Sequence, residues 1–133
     1  MTAKRRLTDA QAHKFAVRLG KALFKADPAL LKAVLAPRAE WHFAIGKDVP
    51  HDRVRKGVKG FLEGIAENKR AFPELRFNDI EIKGFTHDQF IMTYNVTGKK
   101  RSGKAFHLRG IEVITIVDDR VAKKDVFWKQ EGR

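Results

Sequence analysis

The sequence contains no cysteine, so disulfide bonds and thiolate chemistry are excluded. Its longest apolar runs are far too short to cross a bilayer, and no apolar segment of the signal-peptide type follows the basic N-terminal residues. A glycine-rich phosphate loop, a nucleophile elbow and histidines or carboxylates at metal-ligand spacing are also missing. We therefore expect a cytoplasmic protein that uses no metal or cofactor and does not bind membranes.

Acidic residues are few relative to basic ones, and the formal net charge is +12. Such an excess indicates either an anionic partner, such as nucleic acid, or solvated basic faces. The charges are spread along the chain, and only Lys99-Lys100-Arg101 with Lys104 form a tight cluster, in a predicted hairpin turn. No zinc finger, recognition-helix pair or aromatic RNA-binding strand accompanies them. Solvated faces are the favoured interpretation, and nucleic acid is the less favoured partner.

The rest of the composition is that of a globular protein. Apolar residues make up 43% of the chain and charged residues 33%, which separates it from disordered sequences. A length of 133 residues suits one domain with one core. We assign residues 1–133 to a single domain, with its core at about residues 8–129.

Hydrophobic periodicity and capping signals predict three helices. A capping box at Thr8 starts the first, and its apolar residues recur at helical spacing over Ala12–Leu23. Asp27-Pro28 starts a short second helix, because an N-cap residue is followed there by a first-turn proline. The third helix carries its apolar face over Val58–Ala66.

Five strands are predicted, one of them before the third helix. This first strand is Ala39–Ile45, and a polar loop over 46–57 follows it. The other four form a C-terminal meander of Leu75–Lys83, Gln89–Thr97, Ala105–Val117 and Arg120–Trp128. Helices on one face of a largely antiparallel sheet make an α+β fold.

The strand Ala105–Val117 becomes apolar on both faces toward its end, at Ile111, Val113, Ile114 and Ile116. Strands of this kind are covered on both sides, whereas the helices can cover only one. We therefore expect a homodimer that buries the outer face of the sheet.

Four segments in this order resemble the nuclear transport factor 2-like superfamily, and within it the SnoaL-like proteins. Phe24–Leu31 looks like the family's turn between helices one and two, Ala39–Trp41 like its first strand, Lys56–Leu62 like the start of helix three, and Arg120–Trp128 like its last strand. The resemblance implies a cone-shaped, curved antiparallel sheet wrapped around N-terminal helices, with a hydrophobic conical pocket. The fold hosts ketosteroid isomerases, limonene epoxide hydrolases, polyketide cyclases, dehydratases and binding modules, so it does not fix the function.

The acid and base residues of two of these enzyme types are replaced here. The positions that resemble the ketosteroid isomerase site are Leu19, Phe43 and Arg109. Those that resemble the limonene epoxide hydrolase site are Trp41, Phe43, Thr93 and Asn95. None of them can perform the corresponding role, which makes both mechanisms improbable.

Asp125 resembles the acid or base of the last strand in SnoaL-like cyclases, but it comes one residue early relative to Val121. A shift of one residue turns a side chain to the opposite face of a strand. Unless a bulge intervenes, Lys124 and Trp128 face the pocket and Asp125 faces away.

The resemblance implies a pocket-facing set that combines aromatic side chains with an amide, an imidazole and two cations. Its members are Phe15, Leu19, Trp41, Phe43, Thr93, Asn95, His107, Arg109, Lys124 and Trp128. Such a set is typical of small-molecule sites, and its donors favour an anionic or carbonyl-bearing ligand. Plain core packing is the alternative interpretation for the aromatic members.

Three residues are candidates for catalysis: His107, Arg109 and Asp125. If His107 and Arg109 share the cavity, the cation favours a neutral imidazole, which can act as a general base. Three functions stay open: a SnoaL-like isomerase, cyclase or lyase, a non-catalytic module that binds a small ligand, and a basic module that binds a polyanion. The first two are favoured.

Overall fold

The computed structural model describes residues 4–43 and 54–129. Its elements follow the order α1 (Asp9–Lys25), α2 (Pro28–Val34), β1 (Leu35–His42), β2 (Val54–Lys56), α3 (Gly57–Ala71), β3 (Arg76–Gly84), β4 (Gln89–Lys99), β5 (Ala105–Val117) and β6 (Arg120–Trp128). Three helices and a six-stranded, curved and unclosed sheet make this an α+β fold, so the predicted fold class is confirmed.

The strands are ordered β2-β1-β6-β5-β4-β3 across the sheet. Neighbouring strands are antiparallel except β1 and β6, which run parallel. The sheet is therefore mixed at this one junction. The parallel pairing follows from the crossover through β2, α3 and the meander, which brings β6 back beside β1.

The main differences from the predicted elements lie around the first strand. It begins at Leu35 rather than Ala39, directly after α2. A short strand, β2, lies in the segment predicted as loop and pairs with β1 through Trp41–Arg55. The rest of that loop, and the last two residues of the predicted strand, lie outside the described residues.

The caps of the first two helices form as the sequence predicts. The Thr8 side chain accepts from the Gln11 backbone N–H at 3.0 Å, and the Thr8 N–H donates to the Gln11 side chain at 2.9 Å. The Asp27 carboxylate accepts from the Ala29 N–H at 2.8 Å. These contacts satisfy backbone donors that have no partner inside the helices, and so they fix where each helix starts.

The core lies between the helices and one face of the sheet. On β4 the side chains that point toward the helices are Phe90, Met92, Tyr94 and Val96, and on β5 they are Phe106, Leu108, Glu112 and Ile114. The opposite faces of both strands are more exposed to solvent. This alternation follows from the period of two residues in a strand.

A bulge in β6 sets which of its side chains face the core. Thr115 and Ile116 are consecutive on β5 but lie opposite Lys123 and Val121, so Ala122 is an extra residue. Both Val121 and Lys124 are consequently buried, and Asp125 turns to the outer face. Without the bulge, strict alternation from Val121 would place Asp125 inside.

Helix α3 packs closely on the aromatic end of β1. Gly64 provides the contact point, because a Cβ atom there would lie 2.7 Å from Phe43 Cζ and 2.8 Å from Trp41 Cζ3. Trp41 also contacts Phe61 of α3, with ring centroids 5.4 Å apart. The absence of a side chain at Gly64 therefore allows two large rings to fill the space beneath the helix.

We expect Gly64→Ala to lower the free energy of unfolding by about 1–3 kcal/mol, because the added methyl group overpacks this contact. Gly20→Ala is the matched control, since it also lies inside a helix but its Cβ would have no heavy atom within 4 Å. That substitution should instead stabilise the protein by up to about 1 kcal/mol. Urea denaturation measures both values. Equal effects of the two substitutions would contradict the packing described for α3.

Candidate functional site

Among the residues that the structure describes, two charged side chains are buried in the core. Glu112 on β5 and Lys124 on β6 are each only 6% exposed, and Lys124 Nζ lies 3.1 Å from Glu112 Oε1. They occupy diagonal positions on the same inner face, since Lys124 pairs with Ile114 and Glu112 with Val126. Desolvation of each ion costs several kcal/mol, so a buried pair requires close contact and further hydrogen bonds.

A tyrosine supplies the second hydrogen bond to the carboxylate. The Tyr94 hydroxyl donates to Glu112 Oε2 at 2.6 Å, and it accepts from Trp128 Nε1 at 3.1 Å. Gly110 lies between Tyr94 and Trp128 in the sheet, where a Cβ atom would come within 2.4 Å of the tyrosine ring. The glycine therefore allows the phenol and the indole to meet across β5.

Aromatic rings surround this polar group. Lys124 Nζ lies 4.6 Å from the centroid of the Trp41 ring, a distance at which the ring face attracts a cation. Trp128 contacts Phe72 and Phe106, with ring centroids 5.7 and 6.3 Å apart. We call Tyr94, Glu112, Lys124, Trp41 and Trp128 the buried cluster.

The buried cluster holds hydrogen-bond donors and an acceptor in an apolar setting. Burial, and next the charge of Glu112, raise the pKa of the Tyr94 phenol far above its ordinary value, so Tyr94 stays protonated and donates. Both oxygens of Glu112 face a donor, Lys124 at one and Tyr94 at the other. This arrangement can hold a carbonyl oxygen on the donors and place a carboxylate beside it.

Six members of the predicted pocket-facing set lie in the interior. Trp41, Phe43, Leu19, Lys124 and Trp128 are buried, and Phe15 is partly buried with its ring 6.4 Å from that of Phe90. The three aromatic residues Trp41, Phe43 and Trp128 also pack against other core residues. For them, the interpretation as core packing and the position beside the polar group are therefore both correct.

The other members were predicted on the wrong face. Thr93, Asn95, His107 and Arg109 point to the outer side of the sheet, where His107 and Arg109 are exposed and Asn95 donates to Asp79 Oδ2 at 2.8 Å. The reason is strand alternation, because burial of the apolar row Phe90 to Val96 turns Thr93 and Asn95 outward. His107 and Arg109 lie opposite Thr97 and Asn95 and follow the same face.

Asp125 also lies on the outer face, where its carboxylate is 3.7 Å from Lys123 Nζ. Its outward direction agrees with the face expected from the sequence, although a bulge at Ala122 produces it. The three residues named as catalytic candidates, His107, Arg109 and Asp125, are thus together on one side of the sheet and separated from the buried cluster by it. The structure does not test their chemical roles.

Sequence reasoning missed Tyr94 and Glu112. A signal for Glu112 is present, because it is a lone charge within the apolar stretch Ile111 to Ile116 of β5. A charged residue there must either reach solvent or find a buried partner. Lys124 is that partner, and only the bulge in β6 brings it to the same face.

Two depressions formed by described residues lie on the surface, and neither is lined by a member of the buried cluster. Within residues 4–43 and 54–129, no three histidine or carboxylate side chains gather as a metal site would require. In the same part of the chain, no helix is long and apolar enough to span a membrane. The buried cluster is thus the strongest candidate site, and the described residues shield it almost completely from solvent.

The sequence profile of the SnoaL-like domain family matches residues 16–124. The chain belongs to this family. The matched segment includes Tyr94, Glu112 and Lys124 and ends just before Trp128. A comparison with curated protein sequences gives no significant match.

Solved structures of similar fold come from several bacteria. A nuclear transport factor 2-like protein from Burkholderia xenovorans LB400 is 17% identical, with a TM-score of 0.78 over 92% of each chain. A candidate SnoaL-like polyketide cyclase from Jannaschia sp. CCS1 is 16% identical, with a TM-score of 0.68 over 96% of this chain and 92% of that one. A phenazine biosynthesis-related protein from Pseudomonas aeruginosa is 11% identical, with a TM-score of 0.64 over 90% and 84%. At these identities the likeness establishes the fold alone.

Proposed function

We propose that the protein binds a small carbonyl-bearing molecule at the buried cluster and transfers a proton on it, as an isomerase, cyclase or lyase of the SnoaL-like family would. The observation that carries this proposal is the ion pair of Glu112 and Lys124, 3.1 Å apart and almost fully buried, with Tyr94 hydrogen-bonded to the same carboxylate.

A buried ion pair contributes little net stability to a core, because the desolvation of both charges offsets their attraction. Well-packed apolar residues of similar volume usually give equal or greater stability. Titratable groups placed in a desolvated site beside a specific charged partner are more frequent at functional sites than elsewhere. The charges of Glu112 and Lys124 are therefore better explained by chemistry than by stability.

In the proposed reaction each member has a defined role. When the ligand binds, its carbonyl oxygen replaces Glu112 as the acceptor of the single Tyr94 proton, and it accepts a second hydrogen bond from the Lys124 ammonium, which has three N–H donors. Glu112 removes a proton from the carbon next to that carbonyl and returns one to the product, while the negative charge that develops on the oxygen is stabilised by the two donors. Trp41 and Trp128 provide the apolar walls that exclude water.

This step suits the family. Cyclisation of a polyketide by carbon–carbon bond formation begins with removal of a proton next to a carbonyl, and a candidate polyketide cyclase shares the fold. His107, Arg109 and Asp125 have no part in this mechanism, because their side chains are on the outer face.

The first measurement of this function is solvent exchange of protons next to a carbonyl. Cyclohexanone, ethyl acetoacetate and an α,β-unsaturated ketone in D₂O serve as probes, followed by proton NMR. We expect general-base catalysis by Glu112 to accelerate exchange of at least one probe by about 10²-fold or more, and Glu112→Gln to abolish that acceleration. Asp125→Asn is the matched control on the outer face and should change the rate less than about twofold.

Glu112→Gln leaves Lys124 buried without its anion, so the variant could unfold. The double variant Glu112→Gln/Lys124→Met removes both charges, and Tyr94→Phe removes only the hydroxyl. Both should fold, as judged by circular dichroism, and both should be inactive. Both tryptophans of the chain belong to the buried cluster, so probe binding should also change tryptophan emission. The proposal is contradicted if no probe shows accelerated exchange or a change in tryptophan emission. Equal losses of exchange activity in Asp125→Asn and Glu112→Gln would also contradict it.

We also propose that two copies associate through the outer face of the sheet. Ile91, Ile111, Val113 and Phe127 form an apolar patch there, since Ile91 pairs with Val113 and Ile111 with Phe127, and Phe127 is 51% exposed. Glu81 and Lys83 border the patch on one side, and Asp125 and Lys123 on the other. Each border of the patch therefore carries one acidic and one basic residue. A copy related by a twofold axis can place its acidic residues against the basic residues of the first copy.

Light scattering after gel filtration tests this association. The wild type should have twice the mass of one chain. Ile111→Glu should give a monomer that remains folded, because the side chain is on the outer face and the core is untouched. Phe24→Glu is the matched control, since Phe24 is 88% exposed on α1, and it should leave the mass unchanged. A monomeric wild type at micromolar concentration would rule the dimer out.

A further inference from the structure

Phe77 of β3 lies between the buried cluster and solvent. Its ring meets the Tyr94 ring edge to face, with centroids 5.0 Å apart and an interplanar angle of 89°. Tyr94 is buried, whereas Phe77 is 42% exposed. Phe77 pairs with the buried Val96 of β4, so both side chains are on the inner face of the sheet. The Phe77 ring therefore contacts the cluster on one side and water on the other.

Other rings that contact the tryptophans of the cluster are less accessible, since Phe61 and Phe106 are buried and Phe72 is partly buried. A buried ring can turn only by displacing its neighbours in a close-packed core. An exposed side chain instead changes rotamer freely on a short timescale. Rotation of Phe77 toward water is therefore the smallest movement of these rings that uncovers part of the cluster, the ring of Tyr94.

The backbone beside this contact is irregular. β3 lies at the edge of the sheet, next to β4. A bulge in β3 places two residues, Asp79 and Ile80, opposite Tyr94, and Asp79 has a φ of 53°, in the left-handed region. Such a bulge disrupts the ladder of hydrogen bonds locally and bends the strand. The strand next to Phe77 is thus held less firmly than a regular central strand, which favours opening at this position.

We propose that Phe77 controls access to the buried cluster and so sets the size of the ligand that the cluster accepts. The inference rests on the proposed function, because it takes a carbonyl-bearing ligand to bind at Tyr94. When the Phe77 ring rotates outward, the ligand enters past it and its carbonyl oxygen reaches the Tyr94 hydroxyl. The ring then returns and excludes water from the site. A ligand too large to fit beneath the ring keeps it open and loses this contact, so Phe77 favours small ligands.

Acrylamide quenching of tryptophan emission tests this access without depending on catalysis. Both tryptophans of the chain belong to the buried cluster, and Trp128 Nε1 lies 3.1 Å from the Tyr94 hydroxyl oxygen. Phe77→Ala should raise the Stern–Volmer constant by about threefold or more, because local opening limits collision of the quencher with a buried ring. Phe85→Ala is the matched control, since Phe85 is 49% exposed directly after the other end of β3. It should change the constant by less than about 1.5-fold.

Discrimination between ketones of different size tests the role in specificity. In the deuterium-exchange assay, the rate for menthone relative to that for cyclohexanone should rise by about 10-fold or more in Phe77→Ala, because pocket size can discriminate by this factor. Phe85→Ala should leave the ratio unchanged. Phe77→Leu retains an apolar side chain, so it should give intermediate values in both assays and replaces Phe77→Ala if that variant does not fold.

Equal quenching constants in Phe77→Ala and Phe85→Ala, with both variants folded by circular dichroism, would overturn the inference and leave the proposed function intact. An unchanged ratio of menthone to cyclohexanone exchange in an active Phe77→Ala would also overturn it. If the wild type exchanges neither ketone, the proposed function fails instead, and the quenching constants alone decide whether Phe77 controls access to the cluster.

Discussion

The interior is organised around the burial of an ion pair. Glu112 and Lys124 have left water, and the loss of hydration must be offset by contacts inside the protein. Each charge is therefore in contact with specific groups: the carboxylate with Lys124 and Tyr94, and the ammonium with Glu112 and the face of Trp41. Removal of Glu112 or Lys124 leaves the other charge buried without its counter-ion, so the two charges stand or fall together.

Several irregular features of the backbone serve this one arrangement. The bulge at Ala122 turns Lys124 inward, whereas regular alternation from Val121 would have placed it outside. Gly110 leaves the space in which Tyr94 and Trp128 meet, and Gly64 lets α3 approach the ring of Trp41. These deviations from ideal strand and helix sequence all occur next to the cluster, which is where such deviations are expected if they serve function.

The sequence was sufficient to predict most elements but not the faces of the strands. These elements are determined by interactions between residues that are close in sequence, so their signals can be read from the sequence. The signals are the capping box at Thr8, the Asp27-Pro28 start of α2 and the apolar alternation of β4 and β5. The predicted direction of four side chains came instead from the resemblance to distant relatives: Thr93, Asn95, His107 and Arg109. In such a comparison an offset of one residue turns every side chain of a strand to the opposite face. Glu112 and Lys124 could not be paired from the sequence, because the bulge that brings them to the same face has no distinctive residue signal at Ala122.

The two faces of the sheet have separate proposed roles. The inner face holds the buried cluster, where we propose that a small ligand binds. The outer face presents an apolar patch with acidic and basic residues at both of its borders, where we propose that a second copy binds.

The titration of Tyr94 tests the central claim most directly, because it is the only tyrosine in the chain and its phenolate absorbs near 295 nm. Its raised pKa means that folding favours the neutral phenol. This contribution to stability is complete below the unfolded value of about 10 and is lost as pH rises above it. The folded protein should show no phenolate through about pH 10 and should ionise only as it unfolds, whereas the chain in guanidinium should titrate near 10. Reversible ionisation near pH 10 in the folded protein would show that Tyr94 is not bound to a buried Glu112 carboxylate.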